Sequence, residues 1–398
     1  MRRLAITALV LAASPALAAP ATAYDEAALI HRISAEMNRA GSASGAYVSD
    51  AASTRRIYAR QANVARIPAS VEKLYTTSTA LLTLGPTTTL ETAAVSAGTV
   101  DDAGVLHGDL VLVGHGDPFF GTPGAARIAN AVRKAGIARI DGAVIGDETY
   151  FDRRRAARFN GYDGEVAGVL SGLAYDHGIF RGHAQLSSGR FAAQRFAAEL
   201  RKVGVKSSQS SRAGTAPPGA AKIAAWRSPS IAAMSRLVNV PSYNFGAEML
   251  LKGVGAKVRG NGSTASGASV VRQTLAGFGV RPRVEDGSGL SRSNRTSPRQ
   301  VVGMLEHMYA DPVGTDFEAS LAVAGQSGTV AGRMRGTAAA GRCKVKTGTL
   351  SNVSALAGYC RAKTGRDITF ALIMNRVGPS RARVLQDRIA VAIAKVDE

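Results

Sequence analysis

The chain has 398 residues, enough for a large core and more than one domain, and 45% hydrophobic against 20% charged residues excludes wholesale disorder. The formal charge of +20 points to anionic surroundings. Two cysteines exclude a disulfide scaffold, and six histidines without paired spacing offer no metal site.

Arg2 and Arg3 precede an apolar stretch, Leu4 to Ala13, and two small-x-small sites, Ala16-Leu17-Ala18 and Ala21-Thr22-Ala23. This is the pattern of a secretory signal peptide over 1–23, too short to span a membrane. It predicts export to the periplasm or another extracytoplasmic space. The dispersed basic charge would there meet an anionic envelope surface and no nucleic acid, although a solvated arginine-rich surface fits the same charge.

The mature chain opens with a helical pattern from Glu26 to Gly41, with Ile30, Ile33 and Met37 on one face. Gly45 to Ser49 and Arg55 to Arg60 predict a hairpin. Val71 to Leu84 predicts a helix stopped by Gly85-Pro86. Between 88 and 226 the character changes. Short apolar runs, Leu110 to Val113 and Ala143 to Ile145, alternate with helical patterns at Ala125 to Lys134 and Arg190 to Val203. Ser207 to Ala221 reads as a loop. This region is expected to be an inserted domain, α/β or β-rich, within a domain formed by 24–87 and 227–398. Pro229 and Pro298 each open a further helix. The last helix spans about Pro379 to Val396, with Val384, Leu385, Ile389, Ile393 and Val396 facing inward; packing against a core fits it better than lying on a membrane.

Three short patterns carry chemistry. Ser70-Val71-Glu72-Lys73 places a serine and a lysine three residues apart at a helix start, hence on one face. A serine hydroxyl is a weak nucleophile that needs a base, and a lysine can serve where burial or a nearby cation favours its neutral form. An N-cap serine beside a surface lysine would read the same way, yet no other lysine of the chain has a serine three residues before it. Ser242-Tyr243-Asn244 precedes a helical pattern and by itself would be a capping turn. Lys-Thr-Gly occurs twice, at 346–348 and 363–365. The first copy continues from Cys343-Lys344-Val345, a strand pattern whose edge could present an ammonium, threonine hydroxyls and a backbone N–H to a bound chain.

Ser-x-x-Lys, Ser-Asp-Asn and Lys-Thr-Gly together are the signature of class A β-lactamases and penicillin-binding proteins. The order is kept here, with the middle of the second motif changed. The chain resembles the D-alanyl-D-alanine carboxypeptidase/endopeptidase family of low-molecular-mass penicillin-binding proteins, whose catalytic domain is interrupted after the first motif. The resemblance runs from about Gly45 to Asn375. It includes Gly116-Asp117-Pro118, Asn244 to Glu248, Asp286 to Ser291 with Asn294-Arg295, Gly328-Thr329, and Lys346 to Tyr359. It selects the first Lys-Thr-Gly, because the strand that follows matches the family; the second is a polar turn with Gly365 at its tip.

The resemblance implies an α+β fold like that of serine β-lactamases, an antiparallel sheet between helical clusters. It implies a serine DD-peptidase acting on peptidoglycan stem peptides and acylated by β-lactam antibiotics, with no cofactor. Ser70 would be the nucleophile, Lys73 its base, and Ser242 the proton link to the leaving amine. Asn244 would hold the substrate amide; Lys346, Thr347, Gly348 and Thr349 would form the edge that binds the terminal carboxylate, Lys346 also lowering the pKa of Lys73. Arg295 would hold an anionic end of the stem peptide, or else form a structural ion pair. Tyr243 departs from the aspartate usual in the second motif, and the insertion is shorter than in members with two inserted domains. A β-lactamase, an esterase and a non-catalytic peptidoglycan-binding scaffold are the rival readings.

A two-residue turn at Ser351-Asn352 would pair Leu350 with Val353 and, further along the strands, Cys343 with Cys360. Opposed residues lie near the distance a disulfide needs, and export permits the bond. Ser-Asn is a weak turn signal, and free buried cysteines are the other outcome.

Overall fold

The computed structural model describes residues 26–157 and 161–396; the expected leader over 1–23 lies outside them. Helix α1 (Glu26–Arg39) turns Leu29, Ile33 and Met37 inward at helical spacing. Strands β1 (Ser44–Asp50) and β2 (Arg56–Arg60) form the expected hairpin. Pro68 leads into one 3-10 turn over Ala69–Glu72 and then α2 (Lys73–Leu84), which stops where Gly85 takes a φ of 86°.

The chain next builds a mixed sheet from β3 (Thr89–Ser96), β4 (Leu110–Gly114), β5 (Val144–Asp147) and β6 (Ala221–Ser230), with α3 (Thr122–Lys134) and α4 (Ser188–Lys202) packed on it. β4 runs parallel to β5 and antiparallel to β3, and β6 lies antiparallel on the outer side of β3. Leu110, Leu112, Ile128, Val132, Phe196 and Leu200 make its core. The loop expected over 207–221 is only partly one. Arg212–Ala213 pairs with β5, and the stretch passes straight into β6, which runs beyond 226. β6 is an edge strand with most residues exposed or half-buried, so it lacks the alternation that reveals a strand.

Ser230 caps α5 (Ile231–Asn239) by accepting from the Ala233 N–H. Helices α6 (Asn244–Arg259), α7 (Thr264–Ala276) and α8 (Pro298–Ala310) follow, the last opened by a capping box of Ser297 and Gln300. Strands β7 (Ala322–Val323), β8 (Cys343–Leu350), β9 (Val353–Arg361) and β10 (Asp367–Asn375) and helix α9 (Pro379–Ala394) complete the fold.

One antiparallel sheet in the order β7-β8-β9-β10-β1-β2 joins the two ends of the chain. Its alternation sorts two cores. Ala355, Ala357, Tyr359, Ala371 and Ile373 face α2 and α5–α8, while Leu356, Cys360, Phe370, Leu372 and Met374 face α1 and α9. This is the expected α+β arrangement, a sheet between helical clusters. In α9 the inward stripe is Ala382, Leu385, Gln386, Ile389, Ala390 and Ile393. Val384, expected inward, is 50% exposed, because a residue beside Leu385 is turned about 100° away from it.

Cys343 and Cys360 are paired in register and joined by a disulfide, with Cα atoms 4.0 Å apart. The turn forms where expected, with Leu350 opposite Val353 and Asn352 in the left-handed region at φ 58°.

Candidate active site

The geometry begins with a strained turn. Ala69, buried and not glycine, has a φ of 48°, and the 3-10 turn it opens delivers Ser70 to the surface of the cleft. The loop before it is tied to the sheet, since the Asn375 side chain accepts from Ile67 N–H at 3.0 Å and donates to Ile67 O at 3.1 Å. Gly289, at φ 83°, lies against the Ala69 carbonyl; a β-carbon there would sit 2.0 Å from that oxygen.

Lys73 is fully buried. Its ammonium donates to Ser70 Oγ at 3.0 Å, Asn244 Oδ1 at 2.7 Å and Ser288 O at 2.6 Å, which uses all three of its hydrogens. Burial lowers its pKa to about 8, against the opposing pull of the nearby carboxyls Asp286, Glu248 and Glu72. Burial, rather than the expected cation, is thus the main cause. Glu248 accepts the N–H groups of Gly287 and Ser288 and so fixes the loop whose carbonyl faces Lys73. Glu72 is buried without a hydrogen-bond partner for either oxygen among the described residues, and burial raises its pKa well above the usual carboxylate range.

β8 passes directly over this turn. A β-carbon on Gly348 would sit 2.6 Å from Pro68 O and 3.0 Å from Ser70 N, so only glycine lets the strand approach Ser70 so closely. β7 pairs only with Lys344 and Val345, leaving residues 346–350 as an open strand edge. Lys346 is buried and donates to Thr347 O at 2.9 Å; burial, then the like charge of Lys73, lowers its pKa well below the usual lysine value. Thr347 Oγ1 bonds Thr329 Oγ1 at 2.7 Å. The second Lys-Thr-Gly lies in the turn between β9 and β10, with Gly365 at φ 83° and Lys363 and Thr364 exposed.

Ser242 sits in a left-handed turn at φ 64°, two residues before Asn244, and makes no hydrogen bond to Lys73 or Lys346. The second motif is held from outside, by the segment between β5 and α4. Asn244 Nδ2 donates to Glu165 O at 2.8 Å, and Tyr243 Oη lies 2.9 Å from His177 Nε2. Phe151, Val166, Leu170 and Ala174 of that segment pack with Phe245, Met249 and Leu290. Nothing in the sequence marked Glu165 or His177, since one acts through its backbone carbonyl and the other through a contact across 66 residues; Ser288 lies in the Asp286 to Ser291 run, but its role is that of a backbone carbonyl.

Arg295 is not brought to this centre. Its guanidinium donates to the carbonyls of Arg292 and Asn294 in its own loop. Arg292, from the same run, reaches the β8–β9 turn and donates to Ser351 O at 2.8 Å. Among the described residues no group of three His, Cys, Asp or Glu could hold a metal ion, and no helix is long and apolar enough to cross a membrane.

A serine on a buried lysine, below an open strand edge that carries a second buried lysine, defines a serine hydrolase site of the penicillin-recognising type. The chain belongs to the D-Ala-D-Ala carboxypeptidase 3 (S13) family, whose model matches residues 27–167 and 165–396. It is 28% identical to a D-alanyl-D-alanine carboxypeptidase of Actinomadura sp. (strain R39), over 89% of this chain and 82% of the relative. It is 30% identical to carboxypeptidase DacB of Mycolicibacterium smegmatis, over 87% and 79%. The fold matches penicillin binding protein 4 (dacB) from Haemophilus influenzae with a TM-score of 0.79 at 20% identity, over 90% of this chain and 97% of that one.

Proposed function

We propose that the protein is a serine DD-peptidase that cleaves the bond after a D-alanine in peptidoglycan stem peptides or cross-links, through an acyl-enzyme that β-lactams also form. The observation that carries this is the 3.0 Å contact between Lys73 Nζ and Ser70 Oγ under the open edge of β8. Lys73 in its neutral form takes the Ser70 proton as Oγ attacks the D-alanyl carbonyl. The backbone N–H groups of Ser70 and Thr349 receive the oxyanion. Ser242, turning its hydroxyl to meet Lys73, relays that proton from Lys73 to the departing amine and so returns Lys73 to its neutral form, and Asn244 holds the substrate amide. The terminal carboxylate meets the Thr347 and Thr349 hydroxyls at the open edge of β8, whose other face carries Lys346. Water then enters, gives a proton back through Lys73, and releases the D-alanyl product and free Ser70. We assign this chemistry to the parts of the chain before 88 and after 226, with 88–226 as the inserted domain, and place the protein outside the cytoplasm against an anionic envelope.

The test is D-alanine release from a diacylated Lys-D-Ala-D-Ala peptide. The reading expects release by the wild type and none by Ser70→Ala. Release by both, or by neither while the protein is folded, rejects it.

A further inference from the structure

The site just proposed leaves a substrate carboxylate without an obvious lasting positive charge. Lys346 is buried on the face of β8 turned to Ser70, and its ammonium is already given to a backbone oxygen at 2.9 Å. Its burial and the neighbouring Lys73 favour its neutral form. The hydroxyl-bearing residues Thr347 and Thr349 alternate to the opposite face, the one that packs on α9.

α9 is seated there by a buried amide. Gln386 Nε2 donates to Ser354 Oγ at 3.1 Å, and Ser354 is the cross-strand partner of Thr349. Three residues earlier on the same helix face stands Arg383. Its Nη2 donates to Thr349 Oγ1 at 3.4 Å, and among the described residues no carboxylate pairs with it. The neighbouring Arg381 turns elsewhere, donating to Arg39 O at 3.0 Å.

We propose that Arg383, on the last helix of the chain, is a specificity-determining residue that supplies the fixed positive charge for the substrate's terminal carboxylate. The inference rests on the peptidase reading above. A guanidinium stays protonated across the whole working pH range and offers paired N–H groups that match a carboxylate. The substrate would then be held between the threonine hydroxyls of β8 and the guanidinium of α9.

The test compares two acyl-D-alanyl thioesters, one with a carboxylate in its leaving group and one with that carboxylate methylated. In Arg383→Ala, kcat/KM should fall about tenfold for the charged thioester and stay within about twofold for the methylated one. Unchanged turnover of the methylated substrate also reports that the variant is folded. Arg383→Lys should recover part of the loss, and Arg381→Ala should behave as wild type. Equal changes on both substrates, or none on either, overturn the assignment of Arg383. A wild type that turns over neither thioester overturns the peptidase reading, and this assignment with it.

Discussion

The hairpin of β8 and β9 and the segment between β5 and α4 border the same cleft, yet they are built by opposite means. The hairpin is local. Its register is fixed by a two-residue turn, it is joined by a disulfide 17 residues apart, and its glycine sits where a strand must touch a turn. The second segment has little regular structure, and its hold on the site is one carbonyl, one histidine ring and a few apolar side chains. The first kind of construction writes itself into sequence as motif and spacing; the second writes almost nothing, because a backbone carbonyl has no residue type. The two kinds also predict unequal consequences when broken.

The largest effect should come from the hairpin. Lys346→Ala empties a buried polar position over Ser70 and should lower kcat/KM for D-alanine release by at least about a hundredfold. Lys363→Ala, in the exposed turn, should stay within about twofold. Comparable losses would mean that the two copies had been assigned the wrong way round. Removal of the disulfide by replacing Cys343 and Cys360 with alanine should cost about 3 kcal/mol of unfolding free energy, read from denaturant titration, for a loop of this size. A loss below about 0.5 kcal/mol would show that the strand pairing needs no covalent support.

The role proposed for Lys73 adds a pH test. With Lys73 near 8, the amine able to accept a proton is the minority form at pH 7 and the majority at pH 9. Penicillin acylation should therefore rise with pH, with a midpoint near 8, and fall about tenfold per unit below it. A rate that falls as pH climbs from 7 to 9 would exclude lysine as the base. The smallest effect belongs to the segment between β5 and α4. Tyr243→Phe removes the contact with His177 and should lower kcat/KM about fivefold, the equivalent of about 1 kcal/mol. A loss of a hundredfold would raise that segment from support to an equal partner of the hairpin.

Much of the catalytic region was legible. Ser70 meets Lys73 and Cys343 faces Cys360, as spacing implies, and Lys346 starts the open edge, the copy of Lys-Thr-Gly that the family resemblance selects. What escaped has physical reasons. Ala69, Ser242, Asp176 and His177 take positive φ values without glycine to announce them. β6 is an edge strand, and Val384 lies one residue off the inward stripe of its helix. Arg295 and Arg292 stand in one short run, and only side-chain direction tells which reaches the hairpin.

The most direct measurement is mass spectrometry of the protein after brief incubation with penicillin and proteolysis. The account predicts a single covalent adduct on Ser70 that persists for many times the acylation time and is absent from Ser70→Ala. An adduct on another serine, or complete hydrolysis of penicillin with no adduct to trap, would contradict it.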